Sequence, residues 1–171
     1  MRYPRPLSLI GFPGSGKSTV GVLLAKRLGI DFVDTDILIQ TQEQATLAEI
    51  IARRDHLLLR EIEEQVLLDM AIRDSVISTG GSVVYSERIM ERLAGDTIVV
   101  YLRAALATVE YRISLAPDRG IASSKNQTLA DIFSERVPLY ERWAAITIDV
   151  DADPPERLVD NLIMQLDTQY G

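Results

Sequence analysis

The segment Gly11-Phe12-Pro13-Gly14-Ser15-Gly16-Lys17-Ser18 satisfies the spacing G-x-x-x-x-G-K-[ST], and that spacing suits phosphate. Glycines let a backbone curl around an anion with its amide hydrogens turned inward. A helix that begins where the curl ends adds its unpaired donors and the positive end of its dipole. Lys17 is then placed to reach the β- and γ-phosphates of a nucleotide, and the Ser18 hydroxyl to ligate Mg²⁺ alongside waters and phosphate oxygens. Gly14, Ser15, Gly16 and Thr19 complete the expected ATP-binding set. A second concentration of charge follows in Phe32-Val33-Asp34-Thr35-Asp36, two carboxylates at the end of an apolar pair. In an open parallel sheet that edge is where ligands bind. The plainer reading of Asp34 is a helix cap. The guanine-recognition sequence Asn-Lys-x-Asp is absent, which argues against a GTP-driven switch.

A phosphate loop needs a strand before it and a helix after it. Leu7 to Ile10 reads as the strand, and Lys17 to Leu28 as the helix, with Val20, Leu23, Leu24, Ala25 and Leu28 on one face and Gly29 as a left-handed cap. Further strands are expected at Phe32 to Val33, Val76 to Ser78, Thr97 to Leu102 and Ile146 to Val150. Between them Thr46-Leu-Ala-Glu49 has capping-box spacing, Leu57 to Ala71 reads as a helix, Ser86 caps Glu87 to Leu93, and Ala105 to Ser114 follows. Thr128 to Ala144 and Pro155 to Leu166 close the series, with Tyr140 and Trp143 as packing groups. Short apolar runs alternating with amphipathic ones specify an α/β protein with a parallel sheet. The polar stretch Ser114 to Gln127 reads as a mobile loop within one domain.

The composition agrees. A chain of 171 residues suits a single domain, which commonly spans about 100 to 200 residues. Apolar residues are 47% and charged residues 25% of the sequence, and no run approaches the roughly 20 apolar residues of a membrane span. There is no cysteine, hence no disulfide framework, which fits a cytoplasmic protein. The net charge of -7 argues against coating nucleic acid, so any anionic ligand must be met by a local cationic site.

Taken together, the phosphate loop, Asp34-Thr-Asp36, Arg60-x-x-Glu63, the pair Gly80-Gly81, Arg119 in the polar loop and Glu135-Arg136-x-Pro138-Leu-Tyr140 resemble the shikimate kinases in order and separation over nearly the whole chain. The resemblance implies a three-layer α/β/α phosphate-loop kinase fold with a five-stranded parallel sheet. It implies one domain over residues 1–171, an acceptor-binding region at about 34–71 and a mobile lid at about 114–127. The implied reaction moves the γ-phosphate of ATP, with Mg²⁺, to the 3-hydroxyl of shikimate in a cytoplasmic monomer.

By the same resemblance Asp34 sits beside the Mg²⁺ ligands, and Asp36 hydrogen-bonds the hydroxyl to be phosphorylated. Arg60 and Arg136 clamp the acceptor carboxylate, and Glu63 contacts the acceptor or orients an arginine. Gly80 and Gly81 let the acceptor ring approach the backbone, Arg112 stacks on adenine, and Arg119 closes over the phosphates. Without the resemblance, Arg60 reads as a surface ion pair with Glu63 or Glu64, and Gly80-Gly81 as a turn. Some positions depart from the family pattern: Ser82 in place of a third glycine, Leu59 before the substrate arginine in place of phenylalanine, and Gly120 after the lid arginine in place of proline. These bear on the acceptor rather than on phosphoryl transfer. Kinases of other small hydroxy acids, and a non-catalytic ATP-binding relative, remain as alternatives.

Overall fold

A computed structural model describes residues 2–53, 56–115 and 127–171. The order of elements is β1 (Leu7–Ile10), α1 (Lys17–Leu28), β2 (Asp31–Asp34), α2 (Thr35–Glu43), α3 (Leu47–Arg53), α4 (His56–Asp69) and β3 (Ser75–Ser78). A 3-10 turn (Val83–Tyr85), α5 (Glu87–Asp96), β4 (Ile98–Arg103), α6 (Leu106–Ser114), α7 (Leu129–Trp143), β5 (Ile146–Asp149) and α8 (Pro155–Tyr170) follow. The strands form one sheet of five in the order β2-β3-β1-β4-β5, every pair parallel. Helices cover both faces: α1 packs on α8 and against β2 and β3, while α5 and α7 meet the sheet at β4. Burial from both sides explains why β1, β3 and the first five residues of β4 are buried throughout, the serines Ser8, Ser75 and Ser78 included.

The main core surrounds this sheet. A smaller apolar cluster of Ile39, Ala45, Ile50, Leu59 and Val66 lies among α2, α3 and α4. That second cluster sits within the region the sequence marks for acceptor binding. Arg92 of α5 donates to the carbonyls of Leu67 and Met70, fastening the end of α4 to the body. Among the described residues, no helix is long and apolar enough to cross a membrane.

Most element limits match the sequence reading within a residue or two. α5 continues to Asp96, beyond the expected stop at Leu93. Gly95 is tolerated there because Arg5 supplies donors to the carbonyls of Ala94 and Gly95, at 2.8 and 3.0 Å. α8 runs to Tyr170, past the expected Leu166.

Candidate active site

The phosphate loop joins the end of β1 to α1. Gly11, Gly14 and Gly16 all take positive φ, at 148°, 89° and 96°, where a side chain would be strained. The Ser15 amide donates to Phe12 O at 3.0 Å and closes the loop. Gly16 caps α1 without a side-chain bond, so the first-turn amides, which have no intrahelical acceptor, remain available to an anion. Lys17 is buried at 8% exposure, and its Nζ donates to Gly11 O and Phe12 O at 2.8 and 3.1 Å. The ammonium thus lies inside the curl.

β2 delivers the two carboxylates to the same edge of the sheet. Asp34 is the N-cap of α2, its Oδ1 accepting from the Asp36 amide at 3.0 Å, while its Oδ2 accepts from Ser18 Oγ at 2.6 Å. Asp34 thus starts a helix and also meets the loop hydroxyl. Among the described residues no group of three His, Cys, Asp or Glu side chains converges on one point. A hydroxyl beside one carboxylate, facing a phosphate loop, is a donor set suited to Mg²⁺, which commonly takes one or two protein oxygens and fills its sphere with phosphate and water.

Asp36, in the first turn of α2, lines a cleft with Lys17, Glu63, Gly80, Gly81 and Arg136. The turn after β3 forms its floor. A Cβ on Gly80 would stand 2.1 Å from Glu63 Oε1 and 3.2 Å from Asp36 Oδ1, and one on Gly81 would stand 2.5 Å from Pro13 Cδ. A side chain at Gly81 would thus collide with the Pro13 ring, and one at Gly80 would require Glu63 to move. Ser82 turns its hydroxyl toward Glu63, donating to Oε2 at 2.5 Å. Ser82, which also lines the cleft, is thus tied to a neighbouring side chain. Among the described residues, Glu63 Oε1 is buried with no hydrogen-bond partner. Burial, above all, pushes the Glu63 carboxyl up to about 7; the nearby Asp36 charge adds to this, while the Ser82 bond, Arg136 and Lys17 oppose it.

Two guanidiniums share one ring. Arg60 of α4 lays its Cζ 3.9 Å from the centroid of Tyr85. Arg136 of α7, 1% exposed, stands 5.1 Å from the same centroid and 5.6 Å from that of Phe12, and its Nε donates to Tyr85 Oη at 3.3 Å. Burial lowers the Arg60 pKa, with the Arg136 charge adding to the effect and Tyr85 and nearby glutamates opposing it. The surface pairing open to Arg60 is not the one adopted: Glu64 pairs with Arg88 at 2.8 Å, and Glu63 points inward. Tyr140, read as packing, is fully buried and also donates its hydroxyl to Gly81 O at 2.5 Å.

On the other side of the loop, Arg112 donates to Gly14 O at 3.1 Å and lines a second recess with Thr19, Asp153 and Pro155. Arg119 and most of the expected lid lie outside the described residues. The sequence reading missed Tyr85, whose partners lie far along the chain in different helices, leaving no local pattern to detect.

A cradle for phosphates facing a cleft with paired carboxylates and paired guanidiniums can bring a nucleotide to a small hydroxy acid. The family model for shikimate kinase matches residues 13–167. The chain belongs to the shikimate kinase family. It is thereby an ATP-dependent kinase with the fold that the sequence implied. It is 34% identical over 160 residues to the shikimate kinase of Thermodesulfovibrio yellowstonii, covering 92% of each chain. It is 36% identical over 162 residues to that of Mycobacterium marinum, covering 93% of this chain and 88% of the other. The solved shikimate kinase from Acinetobacter baumannii in complex with shikimate matches at a TM-score of 0.89 and 29% identity, over 98% of this chain and 96% of that one. A gluconokinase from Sinorhizobium meliloti shares the fold alone, at a TM-score of 0.57 and 18% identity, over 99% and 95% of the two chains.

Proposed function

We propose that this chain transfers the γ-phosphoryl group of ATP to the 3-hydroxyl of shikimate, and that the cleft between the phosphate loop and α4 seats the acceptor. The observation that carries the reading is that Asp36 and Arg136, from separate helices, line the cleft beside the mouth of the loop, while Arg60, from a third, stands over the same Tyr85 ring as Arg136. The guanidinium forks take the acceptor carboxylate, each contributing on the order of 1.5 to 3 kcal/mol as a charge-assisted bond. Asp36 accepts a hydrogen bond from the acceptor hydroxyl and aims its oxygen at the γ-phosphorus. As the new O–P bond forms and ADP departs, the hydroxyl proton passes to Asp36 late, because phosphoryl transfer is largely loose and depends on alignment more than on early deprotonation. Lys17 and the loop amides balance charge on the phosphates.

Ser18, with Asp34 behind it, would hold Mg²⁺, which draws charge from the phosphate oxygens. Arg112 supports adenine from its recess, and Thr19 stands at the mouth of the nucleotide site. Closure of residues 114–127 with Arg119 over the phosphates rests on the family resemblance. The whole chain acts as one domain, with residues 34–71 as its acceptor-binding part, and works as a cytoplasmic monomer.

A coupled ADP-release assay with shikimate and a panel of sugar acids tests this. Shikimate is expected to be the preferred acceptor. Arg136→Ala should raise its KM by about 10- to 150-fold, and Asp36→Asn should lower kcat by about 100-fold or more. Turnover of another acid in preference to shikimate would overturn the acceptor assignment. ATP binding with no turnover of any acid would overturn the kinase reading.

A further inference from the structure

We propose that Tyr85 is a positioning residue for the acceptor site: its ring face holds Arg60, its hydroxyl holds Arg136, and the two guanidiniums are thereby fixed as one carboxylate cup. The inference rests on the acceptor reading above. Tyr85 ends the 3-10 turn whose first two residues, Val83 and Val84, are in the core at 1% and 4% exposure. The tyrosine itself is only half-buried, and its contacts are with charged groups. Arg60 Cζ lies 3.9 Å from its centroid, and Arg136 Nε donates to its hydroxyl at 3.3 Å.

The perch is rigid. The Ser86 amide closes the turn on Val83 O at 3.1 Å, and Ser86 Oγ caps α5 by accepting from the Ile89 amide at 3.3 Å.

The choice of partner matters. A carboxylate holding Arg60 would neutralise it and occupy the N–H fork that a ligand needs. An aromatic face attracts the cation while leaving its edge free. The ring also gives each of two mutually repelling charges an attractive neighbour.

Steady-state kinetics on Tyr85→Leu and Tyr85→Phe test the proposal. Tyr85→Leu should raise the shikimate KM by about tenfold and leave the ATP KM within about twofold. Tyr85→Phe keeps the ring and should raise the shikimate KM by only about threefold. In an Arg60→Ala background, Tyr85→Leu should add less than about threefold, since its partner is gone. A folded Tyr85→Leu protein with wild-type shikimate KM overturns the proposal, as does a parallel rise in both KM values. If Tyr85→Leu does not fold, Tyr85→Phe decides: a selective rise in shikimate KM supports the role, and no rise overturns it. Arg136→Ala run alongside separates the two ideas. No effect there fails the acceptor reading and this proposal with it; a clear effect there without one at Tyr85 fails this proposal alone.

Discussion

Glu63 is the residue whose setting departs furthest from that of a free carboxyl. It is 3% exposed, one oxygen is held by Ser82, and the other faces Gly80 and Asp36. Its pKa rises from 4.5 to about 7, so the folded protein binds a proton more tightly than the unfolded chain. The resulting stability is complete below 4.5 and is lost as pH climbs through about 7. Glu63→Gln keeps an acceptor for Ser82 and does not titrate. Urea unfolding of both proteins at pH 5 and pH 8 should therefore show the variant gaining on wild type at the higher pH, by on the order of a few kcal/mol. An equal difference at both pH values would contradict the buried, proton-binding carboxyl. The sequence placed Glu63 in the site through the family pattern, but the bond from Ser82 was not legible. It joins α4 to the turn after β3, and no spacing rule connects them.

Elements were legible where their signals are local. The Thr46–Glu49 box forms as read, with the Thr46 amide on Glu49 Oε2 at 2.7 Å and the Glu49 amide on Thr46 Oγ1 at 3.2 Å. Gly29 takes its left-handed φ of 71°, and Ser86 caps α5. α2 was not read from the sequence beyond a helix cap at Asp34, because only Thr35 and Ile39 are buried along its length, too few to mark a face. It nevertheless carries Asp36. α7 carries Arg136 and opens on a reciprocal box, Asp131 amide to Thr128 Oγ1 at 3.1 Å and Thr128 amide to Asp131 Oδ2 at 2.9 Å. Thr128→Ala is expected to reduce stability by about 1 kcal/mol in chemical denaturation. A loss below about 0.3 kcal/mol would mean that packing rather than the cap fixes the start of the helix.

At the scale of the molecule, the apolar residues divide into a core around the sheet and the smaller cluster under α2, α3 and α4. α2 and α3, whose buried apolar residues lie in the second cluster alone, are thereby less tied to the sheet than α4, whose Leu67 belongs to the main core. In hydrogen exchange, amides of α2 and α3 should exchange faster than those of β1, β3 and β4, and saturating shikimate should slow α2 to α4 selectively. Uniform exchange across both parts, or protection spread evenly on adding shikimate, would argue against a separately moving acceptor region. The division was half visible beforehand: the alternation of runs announced a parallel sheet, while the order β2-β3-β1-β4-β5 and the meeting of α4, the 3-10 turn and α7 over Tyr85 depend on packing between distant segments.

In the reading proposed above, this architecture aims one particular hydroxyl of one acid at the terminal phosphorus of ATP. Correlated proton–phosphorus NMR of the product made from shikimate and ATP tests it most directly. A single phosphate ester is expected, its phosphorus coupled to the proton on carbon 3. A phosphate coupled to another ring position, or inorganic phosphate as the sole product, would contradict it.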